Sequence, residues 1–149
     1  MNLVEKLKKL NLTICTAESI TGGMIASNIC NIEGASQVFN GGIVAYTKKI
    51  KQKLLGLNMD DINKYGVYSE KTVFSMAKAV KEKTESDIAI ATSGVAGPYS
   101  DENVAAGTVY FCFYIKDKYF LEKKVFNGSR NEVRSKASMY ACERLIDLL

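Results

Sequence analysis

Histidine is missing from the 149-residue chain altogether. That absence excludes Ser-His-Asp and Cys-His sites, and with them the imidazole ligands that most catalytic zinc sites use. Cysteine is sparse: Cys15, Cys30, Cys112 and Cys142 lie far apart, with no C-x-x-C pair. Each sits in an apolar run, where a small buried thiol is the ordinary occupant, so core packing is expected in place of redox or metal chemistry. Arginine occurs only as Arg130, Arg134 and Arg144, without the wider stripe of planar forks by which a nucleic-acid binder makes bidentate contacts. Lysines 6, 8 and 9 and lysines 78, 81 and 83 fall on expected solvated helix faces, and no nucleic-acid partner is expected. No apolar run reaches the ~18 residues of a membrane span. The first ten residues are polar with three lysines, unlike a signal peptide. A cytoplasmic protein with no membrane partner is the expectation.

What is present suits one folded domain over 1–149: 47% hydrophobic and 24% charged residues, with a formal charge of +4. A chain of this size buries roughly two-thirds of its unfolded surface and needs no disulfide or metal staple. Leu3, Leu7 and Leu10 have helical spacing, and residues 12–17 (LTICTA) read as a strand. Gly22-Gly23 opens a helical segment with Met24, Ile25, Ile29 and Ile32 on one face. Residues 37–46 read as a strand interrupted by Gly41-Gly42, where a bulge or a close backbone approach is expected. Residues 48–55 read as a short basic helix ended by Gly56. Ser69 is the expected N-cap of a helix to about residue 85, with Val73, Met76, Ala77 and Val80 inward. Residues 87–92 (DIAIAT) suit a strand buried on both faces. Residues 107–115 and 118–126 read as a hairpin turning at Lys116-Asp117, and a closing helix runs from Ser129 through Val133, Ala137, Tyr140, Ala141, Leu145 and Leu148. These elements predict a single α/β domain, a mixed sheet covered by helices on both faces.

In open α/β sheets ligands bind beyond the carboxyl ends of strands, which singles out three places. The first is residues 17–23 (AESITGG), whose hydroxyls and glycines precede a helix N-terminus able to favour a phosphate or a developing oxyanion. The same residues also fit a plain helix cap by Ser19 or Thr21 and an eased turn. The second is Ser93-Gly94-Val95-Ala96-Gly97-Pro98, which equally fits a simple turn around the only proline. The third is Tyr46-Thr47-Lys48-Lys49-Ile50-Lys51. Without histidine a serine nucleophile needs another base, and a lysine with a pKa lowered by burial or a neighbouring cation can serve. By charge alone this lysine run fits a solvated face.

The motifs T-A-E-S-I-T-G-G (16–23), G-A-S-x-V-F-x-G-G-I-V-A-Y (34–46), Lys51 with L-L-G (54–56), G-V-Y-S-E (66–70), S-G-V-A-G-P (93–98) and G-T-V (107–109) follow one another in register. Together they closely resemble the CinA C-terminal domain family over nearly the whole chain. Stand-alone members are amidohydrolases that convert nicotinamide mononucleotide to nicotinate mononucleotide and ammonia, without a cofactor or metal. The resemblance implies Ser19 as nucleophile, Lys51 as base and Tyr46 beside it. It implies substrate contacts from Thr21, Gly22, Gly23, Ser93 and Gly94, with Arg130 or Arg134 holding the phosphate of a small-molecule mononucleotide.

One segment departs from the family pattern. A glycine-rich stretch with a K-P pair is usual after G-P, whereas this chain has Tyr99-Ser100-Asp101-Glu102-Asn103-Val104-Ala105-Ala106. An Asp-Glu pair near a phosphate would repel it, so either this loop points away or substrate affinity differs. Larger members also carry an amino-terminal domain, which is not expected here. A homo-oligomer is expected from exposed aromatic strands such as 110–114 and the small family fold. The alternative function is a non-catalytic nucleotide-binding or interaction domain.

Overall fold

The computed structural model describes residues 1–149. Its elements in chain order are α1 (Leu3–Leu10), β1 (Ile14–Glu18), α2 (Met24–Cys30), β2 (Phe39–Val44), α3 (Lys48–Leu55), α4 (Met59–Tyr65), α5 (Glu70–Thr84), β3 (Ile88–Gly94), β4 (Thr108–Ile115), β5 (Lys118–Val125) and α6 (Arg130–Leu148). The five strands form one sheet in the order β2-β1-β3-β4-β5. β1 runs parallel to β2 and β3, and the β3-β4 and β4-β5 pairs are antiparallel.

Alternation along the strands divides the core between the two faces. Ile14, Ile88, Ile90, Val109, Phe111 and Phe113 join the cluster under α1, α2 and α6. The opposite face is built of small residues, Cys15, Ala17, Ala89, Ala91 and Cys112, which let α5 lie close with Val73, Met76, Ala77 and Val80 all buried. Helices therefore cover both faces, a three-layer α/β/α arrangement. Strand β3 is buried on both sides, as its apolar composition predicts.

Local signals explain most boundaries. Asn2 and Ser129 make capping boxes with Glu5 and Glu132 at the starts of α1 and α6. The Ser69 hydroxyl accepts from Thr72 N–H at the start of α5, and Gly56 ends α3 at φ +67°. In β2 both expectations for Gly41-Gly42 hold. The register slips, with Ile14 opposite Phe39 but Cys15 opposite Gly41, and a Cβ on Gly42 would fall 2.2 Å from Thr16 Oγ1.

Two expectations need correction, and one helix was not foreseen. Helix α4 lies in a stretch whose periodicity is too short to predict it; Asn58 caps it by accepting from Asp60 and Asp61 N–H. Cys30 is exposed, because α2 ends at that residue and turns it outward, while Cys15 and Cys112 are buried and Cys142 partly so. Residues 110–114 are not an exposed aromatic strand, because β5 covers the edge of β4 and Phe111 and Phe113 lie in the core. The exposed apolar side chains of the hairpin belong to β5, at Tyr119, Phe120 and Val125. No helix is long and apolar enough to cross a membrane.

Candidate active site

Strand β1 lies between its two parallel neighbours, and the chain leaves it toward β2 through α2 and reaches β3 through α3, α4 and α5. Its carboxyl end is therefore a switch point, where loops from adjacent strands part and leave a crevice. Ser19 follows β1 there, Tyr46 and Thr47 follow β2, and Val95 to Pro98 follow β3, all lining one cavity of about 530 Å³.

Lys51 is the least expected side chain of this cavity. Thr47 caps α3 by accepting from Ile50 N–H, and this start turns residues 51 and 55 inward together. Lys51 is 1% exposed, so the solvated-face alternative for this lysine is overturned. Its Nζ donates to Ser19 Oγ at 2.8 Å, to the Ala45 carbonyl at 2.9 Å and to the Tyr46 carbonyl at 3.4 Å. Burial, helped by the nearby positive charge of Lys48, lowers its pKa to about 8. The neutral amine has two protons for the two carbonyls, which leaves its lone pair for the Ser19 hydroxyl. A hydroxyl so placed can be deprotonated by a lysine near neutral pH.

Ser19 does not cap the following helix. Gly23 is the N-cap residue of α2 and has no side chain to offer. The cap is Glu18, 1% exposed, whose Oε1 accepts from Gly23 N–H (3.2 Å) and Ile25 N–H (2.8 Å) and whose Oε2 accepts from Ala26 N–H (3.0 Å). The open helix N-terminus expected for a phosphate is thus filled by the protein's own carboxylate. Sequence reasoning missed Glu18; the signal was the lack of any Ser, Thr, Asp or Asn at the cap position.

The remaining residues divide clearly. Arg130 lines the cavity and donates to the Tyr46 hydroxyl at 2.6 Å and to the Gly97 carbonyl at 2.9 Å, tying together loops from two strands. Arg134 does not line it: Nε donates to the Ile20 carbonyl at 2.9 Å and Nη2 to the Thr21 carbonyl at 3.5 Å. Gly94 lines the cavity, whereas Thr21, Gly22, Gly23 and Ser93 do not. Thr21 is bonded to Thr92 through their hydroxyls at 2.9 Å, and Ser93 Oγ donates to the Val67 carbonyl at 2.8 Å.

The acidic loop faces the cavity. Asp101 lines it and accepts from the Tyr68 hydroxyl at 2.6 Å, while Glu102 pairs with Lys48 and accepts from Val67 N–H. The first of the two alternatives for this loop, that it points away, is therefore excluded. No group of three or more His, Cys, Asp or Glu side chains is placed to hold a metal ion.

The sequence model of the CinA C-terminal domain matches residues 1–149. A CinA-like protein of Petrotoga mobilis is 40% identical over all of this chain, which spans 37% of that protein's length. The Protein MG115 homolog of Mycoplasma pneumoniae is 44% identical over 89% of this chain and 85% of its own. Among solved structures, a competence-damaged protein (CinA) superfamily protein from Escherichia coli superposes with a TM-score of 0.96 at 33% identity, covering 99% of this chain and 86% of that one.

Proposed function

The chain belongs to the CinA C-terminal domain family, and on that premise we propose that it is an amidohydrolase releasing ammonia from nicotinamide mononucleotide. The observation that carries the proposal is the buried Lys51 Nζ, 2.8 Å from Ser19 Oγ in a cavity lined by Arg130.

Neutral Lys51 takes the Ser19 proton as Oγ attacks the carboxamide carbon, and the resulting ammonium ion returns the proton to the departing amine. Ammonia leaves and a nicotinoyl ester remains on Ser19. Water then attacks the ester carbon and gives its proton to Lys51, which hands it back to Oγ as the nicotinate product departs. Every proton moves through one amine, so the two steps mirror each other.

At the mouth of the cavity Arg130 offers a planar fork suited to a phosphate. Its present partners, a tyrosine hydroxyl and a backbone carbonyl, are neutral, so its charge is available to an anion. Asp101, which lines the same cavity, opposes that attraction, so this chain is expected to hold the mononucleotide more weakly than relatives with a glycine-rich loop.

The test is ammonia release by purified protein from nicotinamide mononucleotide, with nicotinamide riboside and nicotinamide as comparisons. Release confined to the mononucleotide supports the proposal, and no release above a Ser19→Ala control would end it.

A further inference from the structure

Three cationic side chains line the cavity, and only one of them keeps a free charge. Lys48 is paired with Glu102, and Lys51 is neutral in the form that acts as base. Arg130 is the exception, because both its partners are neutral. Asp101 is its counterpart: it lines the same cavity and joins neither of the chain's two salt bridges. The cavity therefore carries one free positive and one free negative charge. Their places differ. Glu102, next to Asp101, is tied to Lys48, one turn of α3 before Lys51, whereas Arg130 reaches in from α6 and holds Gly97.

The Asp101 carboxylate is fixed. Its Oδ2 accepts from the Tyr68 hydroxyl at 2.6 Å and its Oδ1 from Glu102 N–H at 3.0 Å. Asp101 and Val104 exchange backbone hydrogen bonds of 3.1 and 2.8 Å across a turn in which Glu102 and Asn103 take φ of +48° and +60°. Each carboxylate oxygen still has a lone pair to offer. Aromatic rings accompany it: Tyr68 and Tyr99 line the cavity, and Tyr99 is 83% exposed. A carboxylate with tyrosine faces beside it suits a delocalised organic cation, attracted both by the charge and by the ring quadrupoles.

We propose that Asp101, with Tyr68 and Tyr99, is a specificity-determining subsite for the positively charged pyridinium ring of the substrate, at the opposite charge pole from Arg130. It deepens the mononucleotide reading and rests on it, since that substrate is a zwitterion with a quaternary ring nitrogen and an anionic phosphate. Asp101 thus costs affinity at the phosphate and returns some of it at the ring. Nicotinamide itself, with a neutral ring and no phosphate, gains at neither pole.

The experiment compares nicotinamide mononucleotide with its reduced dihydropyridine form, which keeps the ribose and phosphate but has an uncharged ring. Dissociation constants are measured by calorimetry in the Ser19→Ala background, at about pH 9, where Lys51 is neutral. Ammonia release is measured in the chain with Ser19 intact. Repulsion of the phosphate acts on both forms alike, so the ratio of the two constants reports the ring. With Asp101 present the oxidised form should bind about fivefold tighter than the reduced form. Asp101→Asn keeps an oxygen for the Tyr68 hydroxyl and should bring the ratio close to one, and Tyr99→Ala should lower it part of the way. Arg130→Ala should weaken both forms together and leave the ratio unchanged. A ratio near one with Asp101 in place, or one that Asp101→Asn leaves intact, would overturn the proposal. So would a ratio that falls as far in Arg130→Ala as in Asp101→Asn. If a lowered melting temperature shows that Asp101→Asn disturbs the turn, Tyr99→Ala decides by the same criteria. Ammonia release without a ring preference removes the subsite and leaves the amidohydrolase standing; a ring preference without ammonia release does the reverse.

Discussion

In the proposed mechanism Ser19 and Lys51 act as one unit, so their losses should not add. Ser19→Ala and Lys51→Ala are each expected to lower kcat by several orders of magnitude, with the double variant little worse than either. Because Glu18 and not Ser19 caps α2, Ser19→Ala should cost stability only through one lost hydrogen bond, about 1 kcal/mol. Measuring kcat and melting temperature on the four proteins checks both statements. The lowered pKa of Lys51 has two further consequences. The proposed mechanism needs the neutral amine, so kcat should rise through about pH 8 and level off above it. Folded Lys51 gives up its proton near 8, whereas unfolded lysine keeps it to about 10.4. Between those values the unfolded chain binds more protons, so this residue makes unfolding harder as pH rises, and its contribution is lost again as pH falls toward 8. Urea titrations across that interval should show the slope in wild type and lack it in Lys51→Met.

At the scale of elements, connections decide what the strands can present. Gly107 enters β4 at φ +91°, and a Cβ there would meet the Phe126 carbonyl oxygen at 2.2 Å. Gly56 has φ +67° with open space around it. Gly56→Ala should therefore cost only the left-handed strain, about 1 kcal/mol. Gly107→Ala adds a backbone collision and should cost about 3 kcal/mol or more, read from denaturation midpoints at constant slope. Helix α6 carries both candidate arginines on adjacent turns, yet only Arg130 reaches the cavity. Arg130→Ala is expected to raise KM for the mononucleotide much more than for the riboside, and equal rises would assign it a bracing role. Helix boundaries marked by Ser69, Gly56 and Ser129 were legible because capping depends on neighbours in sequence. Helix α4 was not, since seven residues give too little periodicity to stand out.

For the whole molecule, the proposed chemistry uses Ser19 and Lys51 in a crevice that no cysteine lines. Burial raises the Cys15 thiol and pushes Cys112 and Cys142 up to about 12, which keeps them protonated and unreactive. Only Cys30 is exposed, on the far end of α2 from the cavity. Alkylation of the folded protein should therefore modify one cysteine and leave turnover intact, as mass spectrometry and an ammonia assay on the same sample would show. Turnover is likewise expected to survive exhaustive chelation, and its loss with recovery on adding a divalent ion would overturn the Ser-Lys mechanism.

The chain by itself determined its layers and its nominated dyad. The continuous apolar runs of β3 and β4 and the helical spacing in α5 and α6 are local patterns, and they set which segments are buried. The motif around Ser19 and the lysine at 51 were visible as resemblance. Only the tertiary structure decided that Lys51 is buried against Ser19, that Glu18 fills the helix N-terminus, that Arg130 and not Arg134 faces the cavity, and that the acidic loop turns inward. Each of these depends on contacts between segments far apart in sequence, such as 32 residues between Ser19 and Lys51 and 114 between Ile20 and Arg134. Charge and periodicity describe what a side chain prefers near its neighbours; which distant group it meets is fixed by the packing of strands and helices around β1.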